Sequence, residues 1–460
     1  MPITRRSVLG AAMGASAALI AHDAMAAAPS AKSPARKPNI VYIMADDMGY
    51  GDLGAYGKVY QTPNIDRIGA EGVTLTQGYA NSCVCTATRV GLITGRYQNR
   101  FRIGQEEPLG ANSATIGLDP AVPTMPGYMR QLGYRTALVG KWHMGDAPKF
   151  GPTHSGYDRF FGIYSGGKDY FVQADNVSAA LHDGETVLKT HRYLTDELGD
   201  RAIRELREAK ADNVPLFLSL HFTAPHWPWE GPEDMKVAET LTNIMHQDGG
   251  SIATFQKMLT SLDANVGKVL QALADLGEVD NTIVVFTSDN GGERFSNVWP
   301  FTGMKGELLE GGLRVPLLVR WPGHILPGSR SDQVTISMDW MPTFLAAAGA
   351  PASFKAPTDG MNILPQLLGG ASVSRSLFWM FKANGQAAHR DGDWKYLRIG
   401  KYEHLFNLAQ DEHERADFAK REPERFDAMK KAHAAWAATM LPYPADSASW
   451  GNQGHVPDRY

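Results

Sequence analysis

The sequence predicts an α/β protein with a large, mostly parallel sheet and a small C-terminal domain built on an antiparallel sheet. Four continuous apolar runs have the length and composition of strands that are buried on both faces of a parallel sheet. These runs span residues 39–44, 134–139, 216–220 and 282–286. Helical segments fill the intervals, as a doubly wound sheet requires. Past Pro365 the pattern changes to short segments separated by turns, which is typical of antiparallel strands.

The clearest helical interval runs from Ile252 to Leu273, where apolar residues recur at helical spacing and Gly277 closes the segment. In the C-terminal part, four short strands are predicted at residues 377–381, 386–389, 394–398 and 405–408. Pro423 then opens a helix with one apolar face, formed by Phe426, Met429, His433 and Trp436. We therefore predict a main domain over residues 38–365, a small α+β domain over 366–441 and a tail over 442–460. The tail is either loose or a strap over the pocket.

Composition narrows the class of protein. At 460 residues, the chain exceeds the size at which a single hydrophobic core stops growing. The formal net charge of −4 and the absence of a long basic run argue against a nucleic-acid-binding protein. The only two cysteines, Cys83 and Cys85, are too close in sequence to be joined without a strained loop. They also lack the second ligand pair that a structural zinc site needs.

Residues 1–26 are predicted to be a signal peptide. Arg5 and Arg6 precede a small-residue apolar run over residues 8–20, which is too short to cross a bilayer. Paired arginines at this place are typical of the bacterial twin-arginine export route, and an ordinary secretory signal is the alternative. In both cases we expect a polar lead-in over residues 27–37 and a periplasmic or secreted protein with no membrane anchor after signal cleavage.

Polar side chains follow the predicted strands at their carboxyl ends. Asp46 and Asp47 follow the first strand, and Asp289 and Asn290 follow the fourth. In open α/β sheets, ligands bind at this edge. Each pair alone is also typical of a turn, but together they supply three carboxylates and an amide carbonyl. Such an all-oxygen set suits Ca²⁺ or Mg²⁺ better than zinc.

The segment with the most specific pattern is CTATRVGLITGR, at residues 85–96. Gly95 is typical of a helix end, so Cys85 should begin a short helix, where backbone N–H groups favour an anion. The alternative for Cys85 is a small buried apolar residue. The segment resembles the signature of the sulfatase family, in which the cysteine is oxidised to Cα-formylglycine and the hydrate of that aldehyde is the nucleophile.

Three further segments extend the resemblance, namely GKWH at 140–143, APH at 224–226 and KGELLEGGLRVP at 305–316. It implies an alkaline-phosphatase-like α/β/α sandwich with a divalent cation, Ca²⁺ or Mg²⁺. The implied catalytic residues are Cys85 (as formylglycine), Arg89, Lys141, His143, His226 and Lys305. The implied metal ligands are Asp46, Asp47, Cys85, Asp289 and Asn290. Taken singly, each histidine is as well explained by packing and each lysine by surface exposure. Ala87 stands where many members have proline, which leaves open which maturation enzyme acts. Glu310 and Arg314 are interpreted as a structural pair that braces the loop of Lys305.

The resemblance implies hydrolysis of sulfate monoesters by a sulfuric ester hydrolase, with a formylglycine-generating enzyme as maturation partner. Ser165 stands where relatives carry a serine near the sulfate. Trp227 and Trp229 follow His226 directly, and aromatic faces suit sugar rings, so we expect a sulfated oligosaccharide or other sulfated small molecule as substrate. The alternative for each ring is that it wedges a loop onto the core. The alternative functions are a phosphonate monoester hydrolase or phosphodiesterase of the same superfamily, and a non-catalytic binding homologue.

Overall fold

A ten-stranded mixed sheet forms the centre of the protein in the computed structural model, which describes residues 36–57, 59–110, 113–171, 180–240 and 249–450. The strands of this part of the chain are β1 (Asn39–Ala45), β2 (Val73–Leu75), β3 (Gly78–Tyr79), β4 (Arg135–Lys141), β5 (Arg159–Ile163), β6 (Leu181–Asp183), β7 (Thr186–Leu188), β8 (Leu216–His221), β9 (Thr282–Ser288), β10 (Leu317–Arg320), β11 (Ser329–Ser331), β12 (Thr335–Ile336), β13 (Ser376–Phe381), β14 (Gln386–Asp391), β15 (Trp394–Ile399) and β16 (Tyr402–Asn407).

The large sheet has the strand order β11-β2-β10-β9-β1-β8-β4-β5-β6-β7. Its five central strands, from β9 to β5, are parallel neighbours. Antiparallel pairing begins on one side at β10 and on the other side at β6. The four strands predicted from apolar runs are β1, β4, β8 and β9, and they lie side by side in this parallel centre. The predicted, mostly parallel sheet is therefore confirmed.

Helices cover both faces of the large sheet, and the last helix of the described residues packs on the small sheet. They are α1 (Pro63–Ala70), α2 (Cys85–Thr94), α3 (Met125–Gln131), α4 (Leu194–Ala211), α5 (Met235–Ala238), α6 (Ile252–Asp275), α7 (Glu310–Leu313), α8 (Trp340–Ala347), α9 (Leu364–Leu367) and α10 (Pro423–Ala437). In β1, Val41 and Ile43 pack in a core with α1, α4 and α6, whereas Tyr42 and Met44 pack in a second core with α2, α3 and α8. Alternate side chains of one buried strand thus enter opposite layers. This is the predicted α/β/α sandwich.

The small antiparallel sheet has the order β13-β14-β15-β16 and matches the four predicted C-terminal strands. On one face, Trp379 and Leu397 share a core with Val84 and Ala87, at the beginning of α2. On the other face, Tyr396 packs in a small core with Met429 of α10. The predicted helix therefore packs on this sheet, and the opposite face of the sheet supports the helix that carries Cys85.

Several of the predicted segments contain residues outside the described ranges. The signal peptide at residues 1–26 lies outside the described residues, as do most of the lead-in and the end of the tail. The domain boundaries at residues 365 and 441 stay predictions. Of the helices in the described residues, none combines the length and the apolar character that a membrane span requires.

Candidate active site

The candidate site lies at the carboxyl edge of the central parallel strands. β1 leads into Asp46 and Asp47, and β9 leads into Asp289 and Asn290. β4 ends at Lys141, and His143 follows shortly after the strand. Because β9, β1, β8 and β4 are neighbours, these side chains meet at one edge, as the sequence predicted. Asp47 and His143 both adopt a positive φ, 63° and 59°, a conformation that few non-glycine residues take and that is frequent at functional sites.

Cys85 is the first residue of α2, as the sequence predicted. The preceding residue, Val84, has extended backbone, and Gly95 ends the helix in the left-handed conformation with φ 64°. The thiol is buried, and its Sγ lies 3.2 Å from Nδ1 of His143. Burial raises the pKa of the Cys85 thiol, although Lys141 and Lys305 oppose this shift. The unmodified side chain is therefore a neutral thiol rather than a thiolate nucleophile.

Three buried cations face three buried carboxylates around Cys85. The closest pairs join Lys141 Nζ to Asp46 Oδ2 at 2.5 Å, Lys305 Nζ to Asp47 Oδ2 at 2.6 Å and Arg89 NH2 to Asp289 Oδ2 at 2.8 Å. Burial alone would lower the pKa of Lys305, but Asp47 raises it above its ordinary value. Each cation is thus paired with a carboxylate, which holds three positive groups in fixed positions where an anion could contact them.

The carboxylate group fits a divalent cation. Asp46 Oδ1 and Asn290 Oδ1 are buried, and neither has a hydrogen-bond partner among the described residues. Asn290 donates through Nδ2 to Asp47 Oδ1 at 2.8 Å, and Asp47 N donates to Asp289 Oδ1 at 3.2 Å, so the four predicted ligands adjoin one another. Burial and the neighbouring Asp289 raise the pKa of Asp46 to about 8. Unpaired oxygens within a cluster of carboxylates are what a hard cation would satisfy.

The geometry also offers a ligand that the sequence did not suggest. Potential ligand atoms of Asp46, Asp47 and His226 all lie within 4.8 Å of one another. His226 Nε2 is 3.6 Å from Asp47 Oδ2. The all-oxygen set nevertheless remains our assignment for a hard cation, since oxygen donors suit Ca²⁺ and Mg²⁺ better than imidazole does.

Hydrogen bonds to backbone carbonyls define the tautomers of the two histidines. His143 Nε2 lies 2.9 Å from Leu109 O, and His226 Nδ1 lies 2.6 Å from Trp227 O. A carbonyl only accepts, so these nitrogens carry the hydrogen and the opposite nitrogens present a lone pair. Burial together with nearby lysines lowers the pKa of both rings well below the ordinary value. His143 therefore directs the lone pair of an unprotonated Nδ1 at residue 85.

A tight loop packs over both histidines. A β-carbon added at Gly166 would lie 2.3 Å from Cε1 of His143, and one added at Gly167 would lie 3.3 Å from Cε1 of His226. Only a glycine at position 166 lets the backbone of this loop lie so close to the His143 ring. Ser165, predicted to contact substrate, precedes this pair, is half-buried and donates from Oγ to Gly167 O at 2.8 Å.

The two predicted substrate-binding tryptophans occupy different environments. Trp227 is half-buried, with its ring centroid 4.3 Å from that of His226 and 5.9 Å from Lys305 Nζ. Trp229 is only 5 % exposed and packs edge to face on Phe295 at 4.7 Å. Trp229 lies in the main core, where its ring packs on Phe295, and its assignment to substrate binding stays a prediction.

Sequence reasoning did not assign a role to two groups that support the site. His221, at the end of β8, places Nδ1 3.4 Å from Arg89 NH1, and it was visible only as a polar residue ending an apolar run. Gln386 of the small sheet donates to Gly306 O at 2.9 Å and accepts from Leu308 N at 2.8 Å, which fixes the backbone beside Lys305. A glutamine in a predicted strand gives no signal of such a contact.

The predicted structural pair lies directly after this loop. Glu310, the first residue of α7, is 3.5 Å from Arg314 and is fully buried. Its other oxygen lies 2.9 Å from Lys395 Nζ of β15. Arg314 also donates to Thr76 O through Nε and NH2, at 2.9 and 2.7 Å. The pair therefore ties the loop of Lys305 to both sheets.

Comparison with known proteins identifies the family. The Sulfatase family profile matches residues 38–350, more than half of the chain. Human arylsulfatase A is 34% identical over 394 residues, covering 78% of this chain and 75% of that protein. Human N-acetylgalactosamine-6-sulfatase is 31% identical over 368 residues, covering 74% of this chain and 68% of that protein. The crystal structure of Ps i-CgsB in complex with k-i-k-neocarrahexaose superposes with a TM-score of 0.81 at 28% identity, covering 91% of this chain and 96% of that one. This chain therefore belongs to the sulfatase family of sulfuric ester hydrolases.

Proposed function

We propose that this protein is a formylglycine-dependent sulfatase that releases sulfate from a sulfated carbohydrate with the help of a divalent cation. The observation that carries the proposal is the position of residue 85. This residue is the first of helix α2. Its side chain lies beside the lone pair of His143 Nδ1 and is flanked by the buried cations Lys141 and Lys305. A nucleophile at this point would meet an anionic ester beside these two fixed cations.

The modification supplies a nucleophile that a thiol cannot replace. A formylglycine-generating enzyme would convert the Cys85 side chain to an aldehyde with an external two-electron oxidant. The bond between carbon and sulfur breaks, sulfur leaves as hydrogen sulfide, and an oxygen atom from water becomes the carbonyl oxygen. Addition of one water molecule to the aldehyde gives a geminal diol. This diol carries one hydroxyl for attack and a second hydroxyl for release of the product.

The fixed charges of the site then serve the attack. One diol hydroxyl passes its proton to a carboxylate beside residue 85, Asp46 or Asp289, and its oxygen forms a bond to the ester sulfur. The bond between sulfur and the alcohol oxygen breaks with its electron pair on that oxygen. Arg89, Lys141 and Lys305 would hold the sulfate oxygens. Asp46, Asp47, Asp289, Asn290 and residue 85 would hold Ca²⁺, or Mg²⁺, which supplies positive charge that favours proton loss from the diol when it is bound.

Product release uses the lone pair of His143 Nδ1. The second hydroxyl of the diol loses its proton to Nδ1, the carbonyl double bond re-forms and the bond between carbon and the sulfate oxygen breaks. Sulfate leaves and the aldehyde is regenerated, so one water molecule is consumed for each ester cleaved. Leu109 O holds the hydrogen of Nε2 and keeps the lone pair of Nδ1 on residue 85.

The leaving alcohol must receive a proton, and two groups are placed for this. His226 presents its Nε2 to the site, and Lys305 presents its ammonium. We favour His226, because Asp47 stabilises the charged form of Lys305. A bound sulfate ester would add negative charge beside His226 and so favour protonation of Nε2.

The names of the relatives and the half-buried ring of Trp227 support a carbohydrate substrate. One relative is named N-acetylgalactosamine-6-sulfatase, and one similar structure holds a neocarrahexaose. In this chain Trp227 adjoins His226, where the leaving alcohol would lie. A flat indole face suits a sugar ring. Export through the predicted N-terminal signal would bring such an enzyme to extracellular polysaccharide.

The test is a sulfate-release screen with protein made alongside a formylglycine-generating enzyme, and with Cys85→Ala as the inactive control. The panel should hold sulfated oligosaccharides, N-acetylgalactosamine 6-sulfate, steroid and aryl sulfates, and a phosphonate monoester. We expect turnover of a sulfated saccharide. Faster hydrolysis of the phosphonate would favour the alternative hydrolase, and no turnover of any ester by the modified protein would favour a binding homologue.

The same panel tests the proton donor. A sugar alcohol is a poorer leaving group than a phenol and depends more on a general acid. His226→Ala should therefore lower sulfate release from a sugar ester by about 100-fold or more, and from an activated aryl ester far less. Equal losses on both esters would exclude His226 from this role.

A further inference from the structure

The last described residues form a strap that runs back to the catalytic domain. We call residues 441–450 the C-terminal strap. Leu441 N donates to Asn99 O at 3.0 Å, and Gln105 Nε2 donates to the carbonyls of Leu441 and Pro442 at 2.7 and 3.0 Å. The strap is thus hydrogen-bonded from its first residue to the segment that follows α2.

Two anchors, the half-buried Lys382 and the buried Glu107, hold the remainder of the strap. Lys382 Nζ donates to the carbonyls of Pro444, Ala445 and Ser447 at 2.9, 3.2 and 2.7 Å. The Glu107 carboxyl group accepts hydrogen bonds from the Ser449 hydroxyl at 2.8 Å and from the Tyr443 hydroxyl. The backbones also pair, since Glu107 N donates to Ala448 O and Trp450 N donates to Glu107 O, at 3.0 and 2.6 Å. So many satisfied polar groups indicate a defined position rather than a loose tail.

The anchored strap ends at the catalytic residues. The ring centroid of Trp450 lies 5.9 Å from Lys305 Nζ, the same distance as the centroid of Trp227. The Trp450 side chain remains 36 % exposed, whereas Lys305 is buried. Two indole rings from distant parts of the chain therefore flank one buried ammonium group, and part of the Trp450 ring is free to meet a ligand.

We propose that Trp450 is a specificity-determining residue that, together with Trp227, forms an aromatic wall for the saccharide ring of the leaving alcohol. The proposal rests on the proposed function, which places the bridging oxygen beside Lys305 and His226. A ring attached to that oxygen would lie next to the groups that border Lys305. Indole faces bind sugar rings through large apolar area at little entropic cost.

The experiment compares Trp450→Ala with Trp450→Phe on the sulfated saccharide that the wild type turns over fastest. Trp450→Ala should raise KM about tenfold, as truncation of a contact residue typically does, with kcat changed by less than about threefold. Trp450→Phe keeps an aromatic face and should restore most of the affinity. Tyr402→Ala, which removes another exposed aromatic ring from the edge strand β16, is the matched control and should leave KM unchanged.

A second variant tests the strap without altering the ring. Lys382→Met removes the ammonium that binds three strap carbonyls, so it should raise KM in the same direction as Trp450→Ala. Calorimetric titration of the same saccharide into Cys85→Ala and into Cys85→Ala/Trp450→Ala separates binding from turnover. Unchanged KM and unchanged affinity in Trp450→Ala would overturn the proposal.

Failure of the carbohydrate assignment can be distinguished from failure of this inference. If only 4-nitrophenyl sulfate is turned over, the substrate class in the proposed function is wrong. The same KM comparison on that ester still tests Trp450, because its aryl ring takes the place of the leaving alcohol. A tenfold rise in KM for this ester in Trp450→Ala would support the aromatic wall, and an unchanged KM would refute it.

Discussion

The buried ion cluster between the small sheet and α7 leads to the prediction with the best-defined magnitude. Lys395 Nζ lies 2.9 Å from Glu310 and 2.8 Å from Glu414, and all three side chains are fully buried. Burial alone would raise the pKa of Glu310, but Lys395 and Arg314 lower it to about 2. Lys395→Met would leave this ionised carboxylate without its closest cation, next to Glu414.

The expected cost follows from the partners that remain. Removing one partner of a buried ion pair costs about 3–5 kcal/mol. In Lys395→Met, Arg314 would stay 3.5 Å from Glu310, and the Tyr79 hydroxyl would still donate to it at 2.5 Å. We therefore expect the lower end, a loss of about 3 kcal/mol in the free energy of unfolding.

Urea unfolding followed by tryptophan fluorescence measures this loss. Glu414→Gln in the Lys395→Met background is the control, and it should recover part of the stability because it removes one of the two facing carboxylates. A loss below about 1 kcal/mol in Lys395→Met, the level of an exposed ion pair, would refute the reasoning.

Three further predictions address pH, close packing and metal. Burial raises the pKa of Glu107 from 4.5 to about 7, so the folded protein binds the extra proton and wild-type stability should fall by up to about 3 kcal/mol as pH rises through this window. In Glu107→Gln, urea unfolding across the same pH range should not show this fall in the free energy of unfolding. The same dependence of the free energy on pH in both proteins would contradict the prediction. Gly166→Ala would place a β-carbon 2.3 Å from His143 and should lower kcat about tenfold or more, whereas Gly167→Ala, with 3.3 Å to His226, should be milder. Equal effects of the two changes on kcat would show that close packing on His143 is not the cause. Asp289→Ala should lose bound metal, measured by elemental analysis, together with activity, and full activity of a metal-free wild-type preparation would contradict the cation assignment.

The sequence predicted the parts of the fold that depend on local pattern. Apolar runs identified four of the five central parallel strands, and the residues that follow β1 and β9 identified Asp46, Asp47, Asp289 and Asn290 as neighbours. This succeeded because parallel strands place their carboxyl ends at one edge. The helix that begins at Cys85 could also be predicted from local sequence, because Gly95 ends it in a conformation that glycine favours.

Contacts between distant segments could not be predicted in this way. Whether a tryptophan after His226 faces solvent or the core depends on loop packing, so Trp227 and Trp229 looked equivalent in sequence. The strap places Trp450 beside Lys305 through Lys382 and Glu107, and these residues lie in segments with no pattern that joins them. Only the folded chain shows such pairings.

The central claim is that residue 85 is converted to formylglycine. Its most direct test is mass spectrometry of the peptide that contains Cys83 and Cys85, taken from protein whose sulfatase activity has been measured in the same sample. We predict an aldehyde at residue 85, an unaltered thiol at Cys83, and activity proportional to the modified fraction. A fully active preparation with an unaltered thiol at Cys85 would contradict the account.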